Sequence, residues 1–428
     1  MDFIVNEPNR LCESFFENFD GLWSRPNQYD GFRAYVLGLL SEAHRKNIAV
    51  LSGKVVGQDY QSLHHFLTDS PWDDEELNRR RIAALEADRR TASRKDGVLI
   101  LDDTGVPKKG DSTEGVKRQY IGQVGKTANG QVFVTSHYAD TRRHWPVDIL
   151  PYVPDTWLPQ GKKDPAFRIK PDLARELIQK AREHGIAFRA VVVDSWYGSN
   201  PDFIAALEKD LVPYVAELKH SMRVFVRLPG DIARNEHTLE QALCLLKRKN
   251  FRPVRIPSAD GTEREAWIAR LDVKLKKFPL KRRVVVVTTK PENPAADPDL
   301  RFLTTNVAEF RDDTVAKTYA LRNWVEEFYR EAKDDLGGGQ YQVRDLASIV
   351  RHWKLVFVAH SLLHRLRMKG CLARLCEKPI RTLRQTLMAL RDYLRQVYLL
   401  QWLPDHIEVF KEHLRTSGYL FHDVELTK

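Results

Sequence analysis

Two short apolar runs, each closed by an aspartate, constrain this chain most. Residues 98–102 read VLILD and residues 189–194 read RAVVVD. An unbroken aliphatic run too short for a helix is the pattern of a strand buried on both faces. Such strands belong to α/β sheets covered by helices on each side. Functional side chains collect where these strands run out, because a rigid strand end fixes a side chain at the edge of a crevice. Asp102 and Asp194 occupy those positions. A single aspartate after a strand is commonly a cap for the next turn or helix. Two on strands expected to be neighbours make a candidate pair.

The surrounding pattern supports a mixed sheet. Tyr120–Val124 and Gln131–Ala139 are strand-like and predict a hairpin through Asn129-Gly130. A Pro-rich loop is expected over 146–171, then a helix over 172–184 that stops before Gly185. Asn200 and Pro201 supply an N-cap and a proline at the first helical position, opening a helix to about Lys209. PYVAEL, 213–218, is the next strand. The order is three strands, helix, strand, helix, strand. Residues 219–305 interrupt it with further strand-like runs at 223–228, 266–273 and 283–289. A long helix follows over about 314–336, ending at Gly337, Gly338 and Gly339. Residues 1–95 read as helical, over 32–46, 58–67 and 73–91, with Tyr35, Val36, Leu39, Leu40 and Ala43 on one side of the first. In the third, Arg79, Arg80 and Arg81 form either a solvated face or a phosphate contact.

A third carboxylate comes from the long helix. Taking Tyr319 as origin, Arg322, Glu326 and Lys333 follow at three, seven and fourteen residues. At about 100° per residue the four fall within an arc of roughly 60°. Leu321, Trp324, Val325 and Phe328 point the other way, into a core. Alone, such a face is an ordinary salt-bridged helix surface. Beside two strand-end aspartates it completes a set of three carboxylates that suits two divalent ions, which can activate an attacking oxygen and stabilise a leaving one at a phosphate. Hard oxygen ligands fit Mg²⁺, with Mn²⁺ as a substitute. No Cys or His run has zinc spacing, and the four cysteines (Cys12, Cys244, Cys371, Cys376) form no CxxC pair. No phosphate-cradling GxxxxGK[ST] is present. Asp102 and Asp103 are adjacent, and either can be the first ligand. Arg322 and Lys333 are placed to hold phosphates beside the metals.

Charge fits a polyanionic partner: 68 Lys and Arg against 58 Asp and Glu give +10. Lys108 and Lys109 follow the first strand, and Arg142, Arg143 and His144 follow the hairpin; both loops are candidates for phosphate contact. Residues 340–400 hold twelve Lys or Arg against three acids, with apolar helical periodicity at Val356, Val358, Leu362, Leu363 and Leu366, as expected of a helical pack with a basic face. No stretch approaches twenty apolar residues and the N-terminus lacks the pattern of a signal peptide, so a cytoplasmic, nucleoid-associated protein is expected.

The strand order, the interruption and the helix carrying the last acid resemble the ribonuclease-H-like core of DDE transposases. Tyr319, Arg322, Glu326 and Lys333 match the signature of insertion-sequence transposases with a β-rich insertion, a group that includes the cut-and-paste enzyme used for tagmentation. LDDTGVPKKG at 101–110, HYADTRRHWPVD at 137–148, VVVDSWYG at 191–198, VEEFYREAKDDLG at 325–337 and YQSLHHFLTDSPWD at 60–73 are similar to the branch numbered seven hundred and one. The resemblance implies Asp102 (or Asp103), Asp194 and Glu326 as metal ligands, two Mg²⁺ ions per site, and Tyr319, Arg322 and Lys333 as grips on transposon-end DNA. It also implies double-stranded DNA as partner, both transposon ends and target, a hairpin intermediate, and a homodimer in the synaptic complex. Trp267, the only tryptophan between 219 and 305, is a candidate for stacking on a flipped base or, more commonly, a sheet residue. The expected architecture is an α/β, ribonuclease-H-like mixed sheet. Its parts are an N-terminal helical DNA-binding region (1–95), the first part of the core (96–218), a β-rich insertion (219–305), the final core helix (306–340), and a C-terminal helical region for DNA or dimer contacts (341–428). A nuclease of the same core without strand transfer, and a domesticated non-catalytic DNA-binding protein, are the alternatives.

Overall fold

The computed structural model describes residues 10–52, 58–258, 262–278, 281–376 and 379–397. Residues 398–428, expected to be helical, lie outside the described residues, as do the first nine. The two apolar runs pair as expected. β1 (Val98–Pro107) lies parallel to β5 (Ala190–Val193), with Val98 opposite Ala190 and Leu101 opposite Val193. β6 (Tyr214–Leu218) adds in parallel on the far side of β5. On the other side, β3 (Lys126–Ala139) runs antiparallel to β1, and β4 (His144–Tyr152) antiparallel to β3.

Alternation along β1 and β5 divides the core. Leu99, Leu101, Val191 and Val193 face α4 (Lys170–Glu183) and α5 (Pro201–Lys209), meeting Leu173, Leu177, Ile178, Phe203, Ile204 and Leu207. Val98, Ile100, Ala190 and Val192 face the opposite layer, meeting Val315, Ala316, Leu321, Trp324 and Val325. Both faces are covered, which is why these strands read as continuous apolar runs. Asn200 caps α5 as expected, its Oδ1 accepting from the amides of Asp202 and Phe203 at 3.1 Å each.

Several expectations need correction. The turn of the first hairpin is not at Asn129-Gly130 but at residues 122–125, between β2 (Lys117–Ile121) and β3, where Gly125 takes a left-handed φ of 65°. Asn129 and Gly130 lie inside β3. A Cβ on Gly130 would sit 2.4 Å from the Val106 carbonyl oxygen, so this glycine serves strand contact rather than turning. The Pro-rich stretch is not all loop, because β4 runs through Pro146 and Pro151. Among the described residues β4 pairs only with β3, and Pro146 sits at its register shift, positions where a missing N–H is tolerated. β1 continues five residues past Asp102, which ends the parallel pairing with β5 rather than the strand. The long helix is two helices, α6 (Asp312–Ala320) and α7 (Asn323–Arg330), followed by a π turn over Glu331–Asp335. Tight bonds from Arg322 N to Tyr319 O and from Val325 N to Arg322 O mark the break. The segment still ends at Gly337, with φ 72°.

Residues 219–305 do not form a separate sheet. β12 (Arg301–Thr305) pairs antiparallel with β6, and β11 (Lys281–Thr288), β10 (Glu263–Leu275), β7 (Arg223–Val226) and β8 (Asn235–Thr238) continue outward, with β9 (Arg252–Pro257) on β10. One sheet of twelve described strands therefore carries both the core and the inserted strands.

The N-terminal helices α1 (Pro26–Leu40), α2 (Tyr60–Thr68) and α3 (Asp74–Glu86) share one apolar core with α8 (Leu346–Lys369). Of the arginine run, Arg81 is buried, bonding Asn78, the Val147 carbonyl and Ser361, while Arg79 and Arg80 pair with Glu76. Part of the basic excess of 340–400 is likewise structural. Lys354 is buried on α8 against Asp148 of β4, and Lys180 of α4 lies 3.2 Å from the same carboxylate. Arg351 donates to the carbonyls of Leu67, Thr68 and Trp72.

This buried charge cluster ties α8 to the sheet, and removing one partner of a buried pair is costly. Lys354→Met is expected to lower stability by about 2–3 kcal/mol, part of the loss being absorbed by Lys180, and Lys354→Met with Asp148→Leu to recover most of it. Chemical denaturation followed by circular dichroism checks both.

Candidate active site

The pairing of Leu101 with Val193 puts Asp102 and Asp194 next to each other at the end of the parallel ladder. Asp194 caps the short helix Ser195–Gly198, its Oδ1 accepting from the amides of Trp196 and Tyr197 at 3.0 and 3.1 Å. That helix lies so close to β6 that a Cβ on Gly198 would come within 2.0 Å of the Glu217 carbonyl oxygen. Only glycine permits the approach.

Strand alternation separates the two adjacent acids. Asp102 lies on the face of Val98 and Ile100, towards α7, where its Oδ2 accepts from the Arg322 guanidinium at 2.7 Å. Asp103 points to the opposite face. Its Oδ1 accepts from the Tyr197 hydroxyl at 2.6 Å and its Oδ2 from Lys170 at 2.7 Å. Arg322 also donates to Glu326 Oε1 at 2.8 Å, so one guanidinium spans Asp102 and Glu326. Asp102 is only 13% exposed at its side chain, Glu326 65%. Lys333, carried round by the π turn, donates to the Gly105 carbonyl of β1 at 2.9 Å.

Asp102, Asp103, Asp194, Arg322, Glu326 and Lys333 all line one cavity of about 780 Å³. Tyr319 is not among its lining residues. It is buried, donating its hydroxyl to Glu217 Oε2 at 2.5 Å. Lys108 is half-buried with its ammonium 3.5 Å from the centre of the Tyr341 ring, and Lys109 is exposed; neither lines the cavity. Trp267 sits half-buried in β10 under the Arg248 guanidinium, 3.9 Å from its ring centre, and is also absent from the lining. Arg143 pairs with Asp140. Lys170 and Tyr197 were not singled out in the sequence. Their roles depend on contacts from distant segments to Asp103, which no local pattern announces.

Burial pushes the Asp102 carboxyl up to about 7, with Asp194 and Asp103 adding to the rise and Arg322 opposing it. Burial likewise brings the Lys333 ammonium down to about 8. The donor set is all carboxylate oxygen, and a guanidinium already bridges two of the acids as a stand-in cation. The site therefore fits hard divalent ions.

Glu327 and Glu331 point away from this cavity. Glu327 pairs with Arg330. Glu331 is buried beside His360 and His144, a cluster drawn from three distant segments that sequence spacing did not reveal.

A parallel ladder bearing two acids, flanked by antiparallel strands and met by a helical third acid, defines a ribonuclease-H-like nuclease core. The family described as DDE superfamily endonuclease matches residues 14–267, taking in Asp102 and Asp194 and stopping before Glu326. The "Probable transposase for insertion sequence element IS701" of Microchaete diplosiphon is 31% identical over 336 residues, 78% of this chain and 82% of that protein. The chain belongs to the DDE superfamily of endonucleases, in its IS701-like branch. Enzymes of this superfamily work with divalent metal ions.

A proton on Asp102 competes with metal. Mn²⁺ affinity is expected to rise about tenfold per pH unit up to about pH 7 and to level off above it. Calorimetric titrations between about pH 6 and 8 check this; an affinity flat across that range contradicts the assignment.

Proposed function

We propose that this chain is the transposase of an insertion sequence, moving its element by cut-and-paste chemistry. It recognises terminal inverted repeats, nicks at the element's ends and joins the freed 3′-hydroxyls to target DNA. The observation that carries the reading is the convergence of Asp102, Asp194 and Glu326 on one cavity, with Arg322 spanning two of them. Within this reading the three acids hold two Mg²⁺ ions, for which Mn²⁺ can substitute. When bound, the ions supply activation of the attacking oxygen and stabilisation of the leaving oxygen.

The chain's own residues do the rest. Arg322, which here spans Asp102 and Glu326, would be free to turn to a DNA phosphate when those acids hold metal instead. Lys333 lies on the same wall and grips the next phosphate. Asp103 keeps Tyr197 and Lys170 in place and shapes the cavity from the opposite face. Tyr319, tied to Glu217, positions α6 rather than touching DNA. Lys109 offers a phosphate contact outside the cavity. Two protomers, each acting on one end, form the synaptic complex with double-stranded DNA. The helices of residues 10–86 and α8, sharing one core, act as a single DNA- and dimer-contacting body beside the catalytic sheet.

The test is cleavage of a plasmid carrying the element's own ends, with Mg²⁺. Asp102→Ala, Asp194→Ala and Glu326→Ala are each expected to lose at least about a thousandfold in cleavage, several kcal/mol of charge stabilisation, while still binding the ends. Asp103→Asn is expected to stay within about tenfold of wild type. Joined products in the wild-type reaction separate a transposase from a nuclease of the same core. Undiminished cutting by Asp194→Ala or Glu326→Ala overturns the site.

A further inference from the structure

On the other side of α7 from the three acids lies a second cluster that DNA cleavage does not use. His144 opens β4, His360 lies in the middle of α8, and Glu331 begins the π turn. One ring nitrogen from each histidine and one Glu331 oxygen lie within 4.8 Å of one another. His360 Nε2 is 3.0 Å and His144 Nε2 3.9 Å from the same Glu331 oxygen. The histidine side chains are 0% exposed and that of Glu331 3%.

Burial on this scale demands partners. Yet both ring nitrogens of His144 and Nδ1 of His360 have no hydrogen-bond partner among the described residues. The same is true of both nitrogens of neighbouring His137, and of Nε2 of His364 one turn along α8. Each such group costs about 1–3 kcal/mol when left unsatisfied. Among the described residues, the buried Glu331 carboxyl has only the two histidines within ion-pair distance, with the Arg367 guanidinium farther off in the same cavity. Burial keeps these imidazoles neutral, so that each carries one nitrogen lone pair able to take a metal. His144 is held flat on Trp324, with ring centres 4.3 Å apart and planes at 16°. A cavity of about 370 Å³ reaches the cluster at His144 and Glu331, with Trp324 and Arg367 also in its lining; His360 lies behind them.

We propose that His144, Glu331 and His360 bind one Zn²⁺ ion, separate from the Mg²⁺ site, pinning β4, the π turn and α8 together. Two imidazoles and one carboxylate around an open fourth position make a familiar zinc donor set, and imidazole favours zinc over magnesium. A ligand contraction of under an ångström on each side closes the triangle onto bond lengths of about 2.0–2.2 Å. The ion would displace the proton that burial favours on Glu331, whose carboxyl is pushed up to about 8, and would occupy one ring nitrogen each of His144 and His360. It would also give the π turn, which carries Lys333 towards the acids, a fixed anchor.

The experiment is metal analysis of the full chain after incubation with excess Zn²⁺ and gel filtration. About one zinc per chain is expected in the wild type and also in Asp102→Asn/Glu326→Gln, which removes two acids of the other site. His144→Gln/His360→Gln, checked for fold by circular dichroism, is expected to retain less than about a tenth of an ion. Zinc retained equally by the two double variants, or by neither the wild type nor its acid-site variant, overturns the proposal. If the histidine variant does not fold, Co²⁺ titration of the wild type decides. A visible four-coordinate Co²⁺ band saturating near one equivalent supports the site, and no band overturns it.

Discussion

The parallel pairing of β1 with β5 is the contact on which the rest depends. Four residue pairs, Val98 with Ala190 through Leu101 with Val193, bury both faces of the ladder and end it at one level. Asp102 and Asp194 are the residues immediately beyond. No long-range electrostatic pattern is needed to bring them together, because strand register does so. A one-residue slip in this ladder would exchange the faces of every following residue in β1. Asp103 would then turn towards α7, and Asp102 towards Tyr197 and Lys170. The buried alternation of Leu99 and Leu101 against Val98 and Ile100 forbids that slip, since it fixes which aliphatic set meets α4 and α5.

The second dependency is the broken helical segment between Asp312 and Leu336. The tight turn at Arg322 lets α7 leave the line of α6, so Arg322 reaches both Asp102 and Glu326. The π turn then places Glu331 in the histidine cluster while Lys333 returns to the Gly105 carbonyl. π turns are rare and concentrate at functional sites. Here one segment serves two polar centres on opposite sides, and its irregularities make that possible. The strands 219–305 reach the same region through the sheet: β12 lies against β6, whose Glu217 holds the Tyr319 hydroxyl of α6.

Much of this was legible in the sequence, for physical reasons that also explain what was not. Buried parallel strands advertise themselves as aliphatic runs, so β1, β5 and β6 were readable, as were the Asn200 cap and the Gly337 stop. Helical spacing put Arg322, Glu326 and Lys333 on one face, and all three line the cavity with the two aspartates. Tyr319 shared that arc, but the break at Arg322 turns it to Glu217 instead. Asn129-Gly130 misled because a glycine required by close strand approach looks like a turn glycine. β4 was hidden by prolines that an edge strand tolerates. The basic character of Arg81, Arg351 and Lys354 gave no hint that they are internal ties. The histidine cluster is assembled from residues 144, 331 and 360, whose separation erases any local signature.

The central claim is that Asp102, Asp194 and Glu326, not Asp103, form the metal-binding set. Diffraction from crystals of the protein with an end duplex and Mn²⁺, read at the manganese absorption edge, tests it most directly. The expected result is anomalous density about 2.1–2.2 Å from oxygens of Asp102, Asp194 and Glu326, with the Arg322 guanidinium moved off Asp102 onto a DNA phosphate. Density on Asp103, or an Arg322 still clamped between Asp102 and Glu326 with no ion beside them, would contradict the account.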